Sequence, residues 1–91
     1  MTTPGTNVKP TARDLFENAV AHHLAGRADA AIATYRGAIA SDPTLAPAMN
    51  NLGALLGARG LTTEALELFR RAVEADATYA EAHNNLGIAL T

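Results

Sequence analysis

Apolar positions recur at helical spacing in five stretches of the chain, the first three of them closed by a glycine or a proline. Leu15, Ala19 and His22, with Phe16 and Val20 beside them, predict a helix over residues 11–25. Thr11 is its expected N-cap, with Asp14 three positions on, and Gly26 is its stop. Ala31, Ile32, Tyr35, Ala38 and Ile39 predict a second helix over 28–41, ended by Asp42-Pro43 because a proline ring cannot continue a helix. Met49, Leu52, Leu55 and Leu56 predict a third over 45–58, capped by Thr44, with Pro47 in a first turn where its missing N–H costs nothing, and closed by Gly60. Ala65, Leu66, Leu68, Phe69, Ala72 and Val73 predict a fourth over 63–75. Its other face carries Glu64, Glu67, Arg70, Arg71 and Glu74, with Glu67 at pairing distance from both arginines. Thr78 and Glu81 read as a capping box that opens a fifth helix near 79. That helix runs to the chain end, with His83, Leu86, Gly87 and Leu90 expected to pack back on the preceding pair.

The pattern repeats itself. Asn50-Asn51-Leu52-Gly53 returns as Asn84-Asn85-Leu86-Gly87, 34 residues later. At the same interval Gly26 falls on Gly60, Ala31 on Ala65, Tyr35 on Phe69, Ala38 on Ala72 and Asp42 on Asp76. A fixed period of this length marks stacked units, each of which buries its apolar face only against its neighbours. The predicted class is all-α, with about five helices in antiparallel pairs. Residues 1–10 read as an unstructured lead and 11–91 as the repeat domain, with units at 12–45, 46–79 and a partial one at 80–91.

Composition narrows the function. The chain is 48% hydrophobic but only 4% aromatic, which favours helices packed at close range over a bulky core. A net charge of −2, with both signs interspersed, argues against nucleic acid as a partner. The absence of cysteine removes disulfides and thiolate metal sites. The N-terminus lacks a signal-peptide core, and the uncharged run 43–58 is too short and too broken by Pro43 and Pro47 to span a bilayer, so no membrane role and a cytoplasmic location are expected.

No constellation of side chains points to catalysis, a cofactor or a metal. His22 and His23 are adjacent, and neighbouring helical residues diverge by about 100°, so the pair does not chelate. The lone serine, Ser41, sits at a helix end. Residues 53–60, GALLGARG, have no Lys-Ser/Thr and no preceding strand, and are no phosphate loop.

A 34-residue unit of two antiparallel helices resembles the tetratricopeptide repeat. The resemblance rests on Met49, Leu52-Gly53, Leu56, Ala65, Phe69 and Ala72 in the second unit, on Leu15, Ala19, Ala31, Tyr35, Ala38 and Pro43 in the first, and on His83, Leu86-Gly87 and Leu90 in the third. The sequence departs from the pattern at Asn18-Ala19, where Leu-Gly is usual, and at Asp76-Ala77, where Asp-Pro is usual. The resemblance implies a right-handed α-solenoid whose first helices line a concave face. That face commonly holds an extended peptide or a partner's helix.

The matching inner positions are Phe16, Val20 and His23, then Asn50, Asn51 and Ala54, then Asn84, Asn85 and Ile88. An amide both donates and accepts, so Asn51 and Asn85 are expected to bind a peptide backbone without reading its side chains. A carboxylate clamp is not expected, since the one lysine, Lys9, lies outside the repeats. The implied role is a non-catalytic scaffold or adaptor that binds a protein or peptide. The alternative is a docking or substrate-recognition segment of a larger bacterial enzyme such as a glycosyltransferase or sulfotransferase. Helix five makes a poor cap, so self-association through it, as a homodimer, is also expected.

Overall fold

The computed structural model describes residues 9–91. Five helices follow in order: α1 (Ala12–Leu24), α2 (Ala28–Ser41), α3 (Ala46–Ala58), α4 (Thr62–Ala75) and α5 (Ala80–Leu90). Of the expected unstructured lead 1–10, residues 1–8 lie outside the described residues; Lys9 and Pro10 are exposed and carry no regular structure.

Two kinds of joint alternate. Within a pair, the chain reverses over a glycine in the left-handed region, Gly26 at φ +79° and Gly60 at φ +83°. The Arg27 N–H donates to the His22 carbonyl at 2.8 Å and the Leu61 N–H to the Leu56 carbonyl at 2.9 Å, so each joint ties up a carbonyl of the helix just ended. Between pairs, an aspartate organises the turn. Asp42 accepts from the Thr44 N–H at 3.0 Å and the Thr44 hydroxyl at 2.6 Å; Asp76 accepts from the Thr78 N–H at 3.0 Å and hydroxyl at 2.7 Å. These bonds hold both carboxyls below the usual aspartate value, the hydroxyl first and the N–H second.

That geometry corrects two expectations. Thr44 does not cap α3, and Thr78 with Glu81 forms no capping box on α5. The N-cap positions are Leu45 and Tyr79, neither with a side-chain cap. Each threonine serves the ionised aspartate two residues before it, an acceptor stronger than a neutral one. Glu81 instead accepts from the Tyr79 hydroxyl at 3.3 Å. The capping box at α1 is present: Thr11 Oγ1 accepts from the Asp14 N–H and Asp14 Oδ2 from the Thr11 N–H, both at 3.0 Å.

Each helix packs on the next in sequence, and α5 also reaches α3. The result is a stack 58 × 27 × 17 Å. Eight of its fifteen buried hydrophobic residues are alanines: Ala19, Ala31, Ala38, Ala46, Ala48, Ala65, Ala72 and Ala82. Small side chains let the backbones approach, and the bulk comes from Tyr35, Met49, Leu52, Leu56, Leu68 and Phe69. The closest approach is at Gly53, where a Cβ would sit 2.7 Å from Phe69 Cε1. This is why the second unit has glycine there.

Helix α5 packs differently from expectation. Ala82 is buried, and Leu86 and Ala89 are half-buried against the core, while His83, Gly87 and Leu90 face outward. Nor does Glu67 pair with Arg70 or Arg71. Among the described residues the ion pairs run from α2 to the following pair, Arg36–Glu64 at 2.7 Å on α4 and Asp29–Arg59 at 2.8 Å just past α3, and both are solvent-exposed and so contribute little.

Candidate interaction surfaces

The expected inner positions fall on α1, α3 and α5, but they have unequal access to a ligand. Asn50 is buried, 1% exposed. Its amide oxygen accepts from Asn85 Nδ2 at 2.9 Å, and its Nδ2 donates to the Tyr79 hydroxyl at 3.5 Å. With both ends of its amide engaged inside the protein, Asn50 joins α3 to α5 and to the turn before it. Burial, then the nearby Glu81 charge, pushes the Tyr79 phenol above its usual value.

Asn51 is half-buried and donates from Nδ2 to the Tyr35 hydroxyl at 3.2 Å. The same hydroxyl lies 3.3 Å from His23 Nδ1. A phenol that accepts from Asn51 has its proton left for His23, which suits an imidazole protonated on Nε2. Burial raises the Tyr35 phenol, and the Asn51 bond partly offsets it. Phe16 packs on the same ring at a centroid distance of 6.1 Å, and the His23 ring meets it edge-on at 6.2 Å. Phe16, His23 and Asn51 therefore gather around one buried tyrosine.

A second cluster forms where α3, α4 and α5 meet. Ala54, Gly57, Asn85 and Ile88 line a cavity of about 390 Å³ floored by Ala65 and Phe69. Ala54 is exposed and Ile88 is 64% exposed. Val20 is half-buried beside the core, and Asn84 is exposed and belongs to neither cluster. A further groove of about 410 Å³, between α2 and α4, has Ile39, Leu52 and Leu68 as its floor and the Arg36–Glu64 pair on its rim. Sequence reasoning did not find it, because its two walls come from successive units with no shared motif.

The histidines go to separate tasks: His23 to Tyr35, and His83 Nε2 to the Ala77 carbonyl at 2.7 Å. Among the described residues no three His, Asp or Glu side chains gather as metal ligands, and no helix is long and apolar enough to cross a membrane.

Residues 46–79 match the tetratricopeptide repeat family. The second helix pair of this chain is therefore similar to a tetratricopeptide repeat. No curated protein matches it in sequence. Two solved structures, described as the crystal structure of MamA and the crystal structure of MamA protein, each superpose with a TM-score of 0.82 at 22% identity. Each covers 88% of this chain, which spans 47% of the first and 44% of the second, a little under half of their length. At that identity the likeness carries the fold: antiparallel helix pairs stacked as a right-handed α-solenoid. Tetratricopeptide repeats serve in general as protein-interaction modules and typically as non-catalytic scaffolds. Neither the family match nor the structural neighbours supports the reading of a glycosyltransferase or sulfotransferase segment.

Proposed function

We propose that this tetratricopeptide-repeat segment is a non-catalytic interaction module that holds an extended peptide of a partner protein along its concave face. The observation that carries the reading is the chemistry of that face. Phe16, Val20, His23, Asn51, Ala54, Asn84, Asn85 and Ile88 include no aspartate, glutamate, lysine or arginine. Asn50, the ninth expected position, is occupied with its own neighbours and supports the face from beneath. Asn51 and Asn85 spend an Nδ2 donor inside the protein, at Tyr35 and Asn50, so their amide oxygens are the groups offered to a peptide N–H. The cavity beside Ala54 and Ile88 suits one apolar side chain of the ligand.

The partner segment that fits is uncharged, extended and carries an aliphatic or aromatic anchor. Its binding depends weakly on salt, because counterion screening has little to act on. The test is selection from a displayed library of random peptides, followed by amide chemical-shift mapping of the selected sequences. Uncharged peptides that shift Asn51, Ala54, Asn85 and Ile88, and that lose binding in Ala54→Trp without a change in melting, support the reading. Selected peptides that are mainly charged, or that shift only the groove between α2 and α4, overturn it.

A further inference from the structure

We propose that His23 is a proton switch on the concave face: when its imidazole takes up a second proton, the Asn51 amide turns over and offers that face N–H donors in place of an acceptor oxygen. For its consequence the inference rests on the peptide-binding reading above. For its mechanism it rests on three side chains.

Tyr35 is 0% exposed, so its hydroxyl has to be satisfied inside the protein. Two side chains reach it: Asn51 Nδ2 donates at 3.2 Å, and His23 Nδ1 lies at 3.3 Å. With Asn51 as donor, the phenol proton goes to the lone pair of a neutral imidazole. Asn51 Oδ1 is then the end of the amide left to the face.

A second proton on the imidazole reverses this order. Both ring nitrogens now donate, so Nδ1 gives a proton to the Tyr35 hydroxyl and no longer takes one. The phenol proton is left without an acceptor at a buried site, where an unmade hydrogen bond is costly. Burial raises the phenol, so it keeps that proton. The acceptor within reach is the other end of the Asn51 amide. Turning the amide over sets Oδ1 on the phenol proton with almost no change of shape, since its oxygen and nitrogen ends are nearly alike. Asn51 is half-buried, and its NH2 group then lies on the open side. A peptide N–H that had bonded Oδ1 meets a donor there, and a peptide carbonyl is taken instead.

Imidazoles change charge in the range of about pH 5–8. The elements around His23 bring little else that titrates. α3 has no ionisable side chain. On α2, Asp29 is paired with Arg59 and Arg36 with Glu64, which leaves Tyr35. On α1 and its following turn, Arg13, Asp14, Glu17, His22 and Arg27 form no side-chain hydrogen bond or ion pair with His23; Asp14 is held in the Thr11 cap. The Asn85 amide is a built-in control. It donates to Asn50, which donates to Tyr79, and no imidazole stands in that series.

The test uses the full chain with no peptide present, so its failure is separate from failure of the peptide reading. Magnetic resonance follows the His23 ring nitrogens and the Asn51 side-chain amide from about pH 8 to about pH 5. At the alkaline end the His23 proton should sit on Nε2, and the Asn51 NH2 protons should show a nuclear Overhauser contact with the Tyr35 ring. On acidification that contact should be lost, and the Asn51 amide should shift with the midpoint of His23 while the Asn85 amide does not. His23→Gln should abolish the Asn51 shift, and Tyr35→Phe should leave His23 titrating but uncouple Asn51 from it. Three results would overturn the proposal: Asn51 NH2 protons that keep their contact with the Tyr35 ring throughout the titration of His23; the same Asn51 shift in His23→Gln; or a neutral His23 with its proton on Nδ1. A switch that behaves as expected in a chain that selects no uncharged peptide would support the mechanism and overturn the peptide reading alone.

Discussion

Gly53 and Gly87 occupy the same position in successive units, and alanine should have opposite effects at the two. Both lie inside helices, where replacing glycine by alanine gains up to about 1 kcal/mol of propensity. At Gly87 that gain stands alone, since the new methyl meets open space. At Gly53 the methyl would lie 2.7, 3.0 and 3.1 Å from three carbons of the Phe69 ring. Phe69 is 6% exposed and wedged among α3 and α4, so the ring cannot swing clear without moving its neighbours. Overpacking of this kind costs about 1–3 kcal/mol. Propensity contributes to both variants with the same sign, so the difference between them is mainly this steric cost. Gly53→Ala should therefore fall between neutral and about 2 kcal/mol destabilised, and Gly87→Ala should be stabilised by up to about 1 kcal/mol. For a chain of this size each kcal/mol moves the midpoint by about 4–8 °C. Thermal melts followed by far-ultraviolet circular dichroism should separate the two variants by at least about 4 °C, with Gly53→Ala the lower. If the two shift together, the register that equates them, or the Phe69 contact, is wrong.

Three further outcomes follow from the same packing. Leu52→Ala should cost about 2–5 kcal/mol in denaturant titration, because the side chain is 1% exposed, whereas the half-buried Leu86→Ala should cost nearer about 1 kcal/mol. Asn50→Ala should lose about 1–3 kcal/mol, since it strips a partner from Asn85 and Tyr79, while exposed Asn84→Ala should stay within about 0.5 kcal/mol by the same titration. Asp42 and Asp76 release their protons more readily folded than unfolded, so their contribution is complete above the ordinary aspartate value and is lost as pH falls through the lowered one. A pH series of melting temperatures should show this loss on acidification, and the Asp42→Asn, Asp76→Asn double variant should flatten it.

The helices were legible in the sequence because each has a stripe of apolar residues at the right interval, and the first three also have a glycine or proline stop. Gly26 and Gly60 mark their turns unambiguously, since a left-handed residue is needed there. The caps of α3 and α5 were not legible. Thr44 and Thr78 sit where a cap belongs, and only the geometry shows that an aspartate two residues earlier has taken their hydroxyls. Repetition itself misled at the amides. Asn50 and Asn84 are the same letter in the same register, yet one is buried under α5 and the other faces solvent, because what covers a residue in one unit is the next unit. The same reasoning accounts for Leu52 and Leu86. The cavity at Ala54 and Ile88 and the groove beside Arg36 depend on how neighbouring units meet, which no single unit encodes.

Because each helix touches only its nearest neighbours in the stack, the molecule has an order of loss as well as a fold. Among the described residues α1 and α5 are not packed on one another, so the two ends answer separately to heat or denaturant, and α5 is held by α4 and by the Asn50–Asn85 bond from α3. Opening should travel inward from that end like the teeth of a zip, with amide exchange graded along the chain and not shared by it. A helix that covered α5 would therefore act at a distance: by pinning the last tooth it would slow opening as far back as α3, in residues it never meets.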